Sequence, residues 1–491
     1  MKINIANRSI LFLGIGSVGS CCVKYFSDFF EGYDYKNITL VDKNSNVTLI
    51  ECVKNCLDKG ATFMNIELNR DNFAKLLDDL KFKEKDIVID LTTQTKSIYF
   101  LKCCISIGAH YLNSALNEDF IQPLSSTHIQ HMYIKGLNSQ YNIKATCVVE
   151  TGMNPGLISS FAKKGVRSIV KKTLTRLQES QKGDTEYKEL LQAFTDGDYP
   201  AMAKGIGLRL IICSEHDTQI ATNPPNVPFC NTWSNLGLIE EHLEPFQIGI
   251  GTHENVVPFE NHDAMMFLTP NLFVAENIIG GKTKIASIYV DSLSDSNKPV
   301  FSYGYGRCIS HGECVSLPRY FAGNNYSPTV YFSYKINPAS DQTLEQSDDL
   351  ALSSLMTNPN LITLNQTHNV TGYDNVGALL IYEDPFDKNE IKSWWSGTIL
   401  NVDYVRNELK DNYFLPTTIQ VMAGIFSALS YSIENPNKGI LFCEELDDKY
   451  ILEKAKKYLG VVYNGKTTLT MGIKLSELVQ NGTGSTHINL V

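Results

Sequence analysis

The glycines Gly14, Gly16 and Gly19 follow directly on the apolar run Ile10–Leu13, and a second apolar run, Ile38–Val41, ends at Asp42. Few sequence features constrain a fold more tightly. A strand that turns into a helix through three glycines at this spacing uses Gly14 for the tight turn and Gly16 for close approach of a phosphate. Gly19 then lets the helix pack close to the sheet. The helix start offers free N–H groups and partial positive charge to an anion. An acid at Asp42 can accept from both hydroxyls of a ribose and repels a 2′-phosphate. Together these residues form a dinucleotide fingerprint that favours NAD over NADP, a preference that Lys43 beside the acid softens.

Strand and helix signals keep alternating after Asp42. Helical Ser45–Lys59, extended Ala61–Ile66, a helix from the cap Asp71 and the strand Asp86–Leu91 come first. A helix near Lys96–Ile107, the strand His110–Asn113, a helix around Ser126–Leu137 and the strand Ala145–Val149 continue the series. The pattern predicts an α/β Rossmann-type domain over residues 1–153, with a doubly wound parallel sheet. The turn-rich segment Glu150–Gly156 then falls at the carboxyl edge, where open α/β sheets bind ligands. From Leu208 to about Lys335, short strands rich in Val, Ile, Tyr and Phe predict a mainly antiparallel sheet. Residues 154–405 are thus expected to form an α+β catalytic or dimerisation domain. Ala339–Asn369, polar and without strong periodicity, is expected to be a surface excursion. Helices opened by Pro416 and Thr417 and again over Tyr450–Tyr458 predict a C-terminal block, 406–491, packing back on the nucleotide domain.

A chain of 491 residues with net charge −10 argues against nucleic acid as a partner, which would need a concentrated basic face. The charge suits a cationic substrate, although solubility alone is the commoner reason for a moderately acidic surface. Twelve cysteines are scattered without a C-x-x-C pair, and the N-terminus carries no apolar signal segment. They read as reduced core residues of a cytoplasmic protein, with neither disulfide nor metal implied. No apolar run approaches the roughly 20 residues that span a bilayer, so no membrane association is expected.

Four segments of the middle region bring ionisable residues to strand ends: Ser214–Gln219, Asn231–Asn235 with Glu240 and Glu241 behind it, Gly251–Glu254 and Ile309–Glu313. Each alone could be a solvated turn. Together they hold what a pocket for an alkyl diamine requires. Carboxylates (Glu215, Glu241) can pair ammonium groups, an aromatic face (Trp233) can hold a cationic centre, and an imidazole (His311) can exchange protons near neutral pH. Trp233 stands between polar residues rather than in an apolar run, and a packing role remains its alternative reading.

These segments resemble the bacterial-type homospermidine synthases, part of the saccharopine-dehydrogenase-like group. The likeness is carried by the glycine turn, Gly152–Leu157, Glu215–Gln219, Asn231–Ser234, Gly251–Glu254, His311–Glu313, Trp395–Gly397 and Thr417–Val421, in order across nearly the whole chain. It implies an enzyme that binds NAD tightly and converts two putrescines to homospermidine and ammonia, expected as a homodimer. It further implies that Trp233 stabilises cationic intermediates, that Glu215 and Glu241 hold substrate amines, and that Asn154 and His311 line the same pocket. The expected cofactor residues are Gly14, Gly16, Ser17, Val18, Gly19, Asp42, Thr92, Thr93 and Met153. One departure stands out: where the family pattern has an acid after His110–Asn113, this chain has Asn117 followed by Glu118. Two alternatives stay open. A saccharopine- or carboxynorspermidine-type reductase would need an arginine for an α-carboxylate, with Arg307 nearest to the candidate segments. A non-catalytic sensor of NAD or polyamines would keep only part of the site.

Overall fold

A computed structural model describes residues 2–93, 95–116, 127–180, 184–257, 264–269, 272–277, 281–358, 361–387, 389–480 and 488–489. The chain forms two compact units. One comprises Met1–Leu157, Thr232–Gly237 and Tyr413–Tyr458; the other comprises Ile158–Asn231, Leu238–Asn412 and Leu459–Val491. Where the sequence predicts three consecutive blocks, both units are thus discontinuous, and 459–491 goes with the second unit rather than with the nucleotide domain.

The first unit is built on a seven-stranded parallel sheet. Its order is Gly439–Leu441, Thr146–Val148, His110–Asn113, Ile87–Asp90, Ile10–Leu13, Ile38–Asp42, Thr62–Asn65. Helices on both faces bury the three middle strands completely, and Ile10–Leu13 is accordingly apolar throughout. The winding starts at Ile10–Leu13 in one direction and resumes at its other neighbour, Ile87–Asp90. The switch point therefore lies between the carboxyl ends of these two strands, where Gly14 begins. The tail helix Pro416–Glu434 covers the helix Ser17–Phe29, with the Phe426 ring 5.7, 5.2 and 5.5 Å from those of Phe26, Phe29 and Phe30. The predicted helix over 45–59 is instead a 3-10 turn, Ser45–Leu49, and a separate helix, Glu51–Asp58, broken at the extended Ile50.

The second unit holds an eleven-stranded mixed sheet around Leu208–Asp217, which pairs parallel to Thr329–Lys335 and antiparallel to Tyr373–Asp384. Its long hairpin Tyr373–Asp384/Glu390–Asn401 and most other pairings are antiparallel. The strand alternation of Leu208–Asp217 sorts its side chains. Leu210 and Ile212 enter the hydrophobic cluster with Ile285, Ile288 and Val290 of the strand Lys284–Leu293. Cys213 and Glu215 point to the opposite face. The stretch 339–369 is not featureless: helices Pro338–Gln346 and Asp349–Leu355 open it, each capped by an Asn or Asp side chain.

Candidate active site

In the first unit the glycine turn forms as the sequence demands. Gly14 has φ +79°, and a Cβ there would lie 2.7 Å from the Leu91 carbonyl oxygen across the switch point. A Cβ on Gly19 would overlap the Gly14 carbonyl, whereas one on Gly16 would meet nothing within 4 Å. Gly16 thus borders open space, where a pyrophosphate would rest. The helix Ser17–Phe29 starts there with no side-chain cap and no acid in its first turn, so the N–H groups around Ser17 and Val18 are left for an anion. Asp42 is pinned over the turn: its carboxylate accepts from the Ile15 N–H at 2.6 Å and the Asn44 N–H at 2.7 Å. Lys43 is drawn toward Glu67, 3.9 Å away, on the surface. Across the switch point Thr92 donates to Asp90 at 2.5 Å, and Thr93 follows in the same bend. This donor set fits a dinucleotide with an unphosphorylated ribose.

The segment after Thr146–Val148 is tightly held. Glu150 adopts φ +52°, and its carboxylate meets His131 Nε2 at 2.8 Å, both side chains being buried. Thr151 N–H donates to the Asn113 carbonyl, and Leu157 N–H to that of Gly152. Met153 is buried and Asn154, followed by a cis bond to Pro155, is half-buried. Trp233 also belongs to this unit and is half-buried. Its indole lies over the helix start that follows: a Cβ on Gly237 would come within 2.7 Å of the ring.

In the second unit Glu241 and His311 come together, with a third acid that sequence reasoning did not select. His311 Nδ1 lies 3.1 Å from Glu313 Oε1, and Nε2 lies 3.7 Å from Glu241 Oε2. The imidazole packs on Phe332, ring centres 4.1 Å apart. Burial pulls its pKa down, but the two carboxylates outweigh this and hold it above the usual histidine range. Burial pushes Glu241 up, and His311 only partly offsets this. Glu313 opens the helix Glu313–Phe321, where the helix dipole favours an acid. Buried Glu215 is two residues beyond Cys213 on one sheet face, and Cys213 in turn is coupled to Glu313. Three carboxyl groups and one imidazole are thus held in this unit, two of the acids directly at the ring.

The five expected catalytic residues divide as Asn154 and Trp233 in the first unit and Glu215, Glu241 and His311 in the second. The question raised by Asn117 and Glu118 lies outside the described residues. Arg307 is committed elsewhere: its buried guanidinium bonds Asp341 and Glu345, each at 2.6 Å, and the Gly281 carbonyl. Among the described residues, no group of three or more His, Cys, Asp or Glu is arranged to hold a metal, and no helix is long and apolar enough to cross a membrane.

Residues 10–146 match the saccharopine dehydrogenase NADP binding domain, and residues 152–461 the saccharopine dehydrogenase C-terminal domain. The homospermidine synthase of Mesorhizobium japonicum is 24% identical over 476 residues, covering 92% of this chain and 89% of the relative. That of Blastochloris viridis is 24% identical over 485 residues, covering 94% and 91%. Among solved structures, the homospermidine synthase of Legionella pneumophila in complex with NAD superposes with a TM-score of 0.74 at 23% identity, covering 98% of this chain and 99% of that one.

Proposed function

The chain belongs to the saccharopine dehydrogenase family, and on that premise we propose that it joins two putrescines into homospermidine, releasing one ammonia, with NAD as a recycled cofactor. The acids Glu241 and Glu313 on the two sides of His311, with buried Glu215 in the same unit, carry this reading. Such a set of acids suits a cation, and the relatives named homospermidine synthase cover 92% and 94% of this chain. Bound NAD supplies hydride chemistry, accepting hydride from an amine-bearing carbon and returning it to the imine formed later.

The chain's own groups do the rest. Gly14, Gly16, Gly19, Ser17, Val18, Thr92, Thr93 and Met153 seat the cofactor, and Asp42 selects a ribose without 2′-phosphate, hence NAD although the family description reads NADP. Glu215 and Glu241 pair substrate ammonium groups. A carboxyl raised by burial, as at Glu241, can take a proton from an amine before it attacks and return one to the departing ammonia. His311 holds Glu241 in place and keeps the local charge from becoming too negative. Trp233 offers an aromatic face to iminium species, a contact worth roughly 0.5–2 kcal/mol, and Asn154 orients the amine. A homodimer in the cytoplasm completes the proposal.

The reductase reading loses its best candidate, because Arg307 is already saturated by Asp341 and Glu345 and has no fork left for a substrate carboxylate. To test the main reading, purified protein is incubated with catalytic NAD and putrescine, and products are weighed by mass spectrometry. Homospermidine and ammonia are expected in equal amounts with no net NADH. NADH accumulating in step with product would overturn the redox-neutral scheme, and no turnover of any diamine would favour a binding-only role.

A further inference from the structure

A cleft of about 670 Å³ opens on the first unit between the helix Ser17–Phe29, the segment Leu49–Lys59 and Phe414 of the returning tail. Neither Gly14, Gly16, Asp42 nor Thr92 lines it, so it is separate from the dinucleotide cradle. Its size is that of a small-molecule site. Phe12, Phe26 and Phe414 are buried beneath it, and Tyr33 and Tyr35 stand half-buried at its side, their ring centres 5.3 Å apart. Two exposed ammonium groups sit over these rings. Lys24 Nζ is 5.6 Å from the Phe414 ring centre; Lys59 Nζ is 5.1 Å from that of Tyr35 and 3.4 Å from its hydroxyl.

The charge of this lining is opposite to that of the molecule. Lys24 and Lys59 against the single carboxylate Glu51 make it net positive on a chain of net charge −10. A cationic amine would be repelled here, whereas an anion would find ammonium partners at the mouth and ring faces and edges below. We propose that the cleft is a binding site for a planar aromatic carboxylate, distinct from both the dinucleotide and the amine sites. The rings contact the planar body, and Lys24 and Lys59 hold the carboxylate, with the Tyr35 hydroxyl keeping Lys59 oriented.

The test uses full-length protein saturated with NAD, so that the dinucleotide cradle is closed to the probe. Calorimetric titration with 2-naphthoate should show saturable binding, and its uncharged amide should bind about tenfold more weakly or less. Replacing both Lys24→Gln and Lys59→Gln should abolish the preference for the acid. Ser27→Trp or the more exposed Asn55→Trp should fill the cleft and abolish binding of either probe, with NAD affinity unchanged. Equal affinity for acid and amide would overturn the proposal, as would absence of binding at millimolar probe. So would unaltered binding in the tryptophan variants that fold.

Discussion

Trp233 is the residue on which a packing role and a chemical one differ most in consequence. Half-buried over Gly237, it is only partly engaged with the protein. Turnover is therefore expected to fall in the order wild type, Trp233→Phe, Trp233→Ala, while the melting temperature shifts little. A core tryptophan would lose about 3–5 kcal/mol on truncation, so activity and Tm measured on the same three proteins separate the two roles. Asp42→Ala should weaken NAD binding by removing charge-assisted ribose hydrogen bonds, each worth on the order of 1.5–3 kcal/mol. It should narrow the gap between NAD and NADP, which parallel titrations would reveal. Two histidines outside the site set an acid limit. Burial first, then nearby cations, lowers His110 and His242 to about 4. Between about pH 6.5 and 4 the unfolded chain therefore binds more protons than the folded one. Stability is full above this window and falls as pH drops through it, by on the order of 3 kcal/mol for each histidine. His242→Leu, which keeps the site neutral, should flatten part of that decline in denaturant titrations at stepped pH. The sequence marks Glu215, Glu241 and His311 as ionisable residues in strand-end context, whereas Glu241 lies on the helix Asn235–Leu243. Glu313 was not legible, because an acid in the first turn of a helix is also an ordinary capping choice, and only the folded chain brings it to His311.

At the scale of elements, what could be read followed local pattern strength. The buried strand Ile10–Leu13 is an unbroken apolar run and Ile87–Asp90 is apolar up to its final Asp90, and Pro416 announces the tail helix at its first position. The strand Gly439–Leu441 was missed because three residues carry no period, and its place beside Thr146–Val148 comes from pairing across nearly 300 positions. The parallel pairing of Leu208–Asp217 with Thr329–Lys335 was hidden for the same reason, inside a region whose local turns favour antiparallel neighbours. Close approach between elements is equally invisible in sequence. A Cβ on Gly424 would overlap the Gly152 carbonyl, so the tail helix touches backbone at the start of the Gly152–Gly156 turn. Gly424→Ala is expected to cost about 1–3 kcal/mol by overpacking and to depress kcat by displacing Asn154. Gly136→Ala, whose Cβ would meet only a glutamine side-chain end at 3.9 Å, serves as the control in chemical denaturation and steady-state assays.

For the whole molecule, net charge −10 would draw a dication toward the surface, an effect that salt screens. kcat/KM for putrescine should therefore decline as ionic strength rises, with kcat nearly constant; a flat profile would confine the role of charge to the acid cluster. The interleaving of the two units bears on biosynthesis. Residues 1–157 emerge from the ribosome carrying six of the seven parallel strands, but Thr146–Val148 must wait some 290 residues for its neighbour. Until Pro416–Glu434 arrives, Phe26, Phe29 and Phe30 lack the partner ring that packs on them. A nascent chain stalled before that point would show an open sheet edge beside an apolar helix face, a combination prone to self-association. The first 157 residues expressed alone should accordingly precipitate or associate with chaperones, and fusing 413–458 to them through a flexible linker should restore a soluble nucleotide-binding body. Synthesis of this enzyme is thus vulnerable in its middle, and any slowing of translation between the two parts of the parallel sheet lengthens the time spent in its most adhesive form.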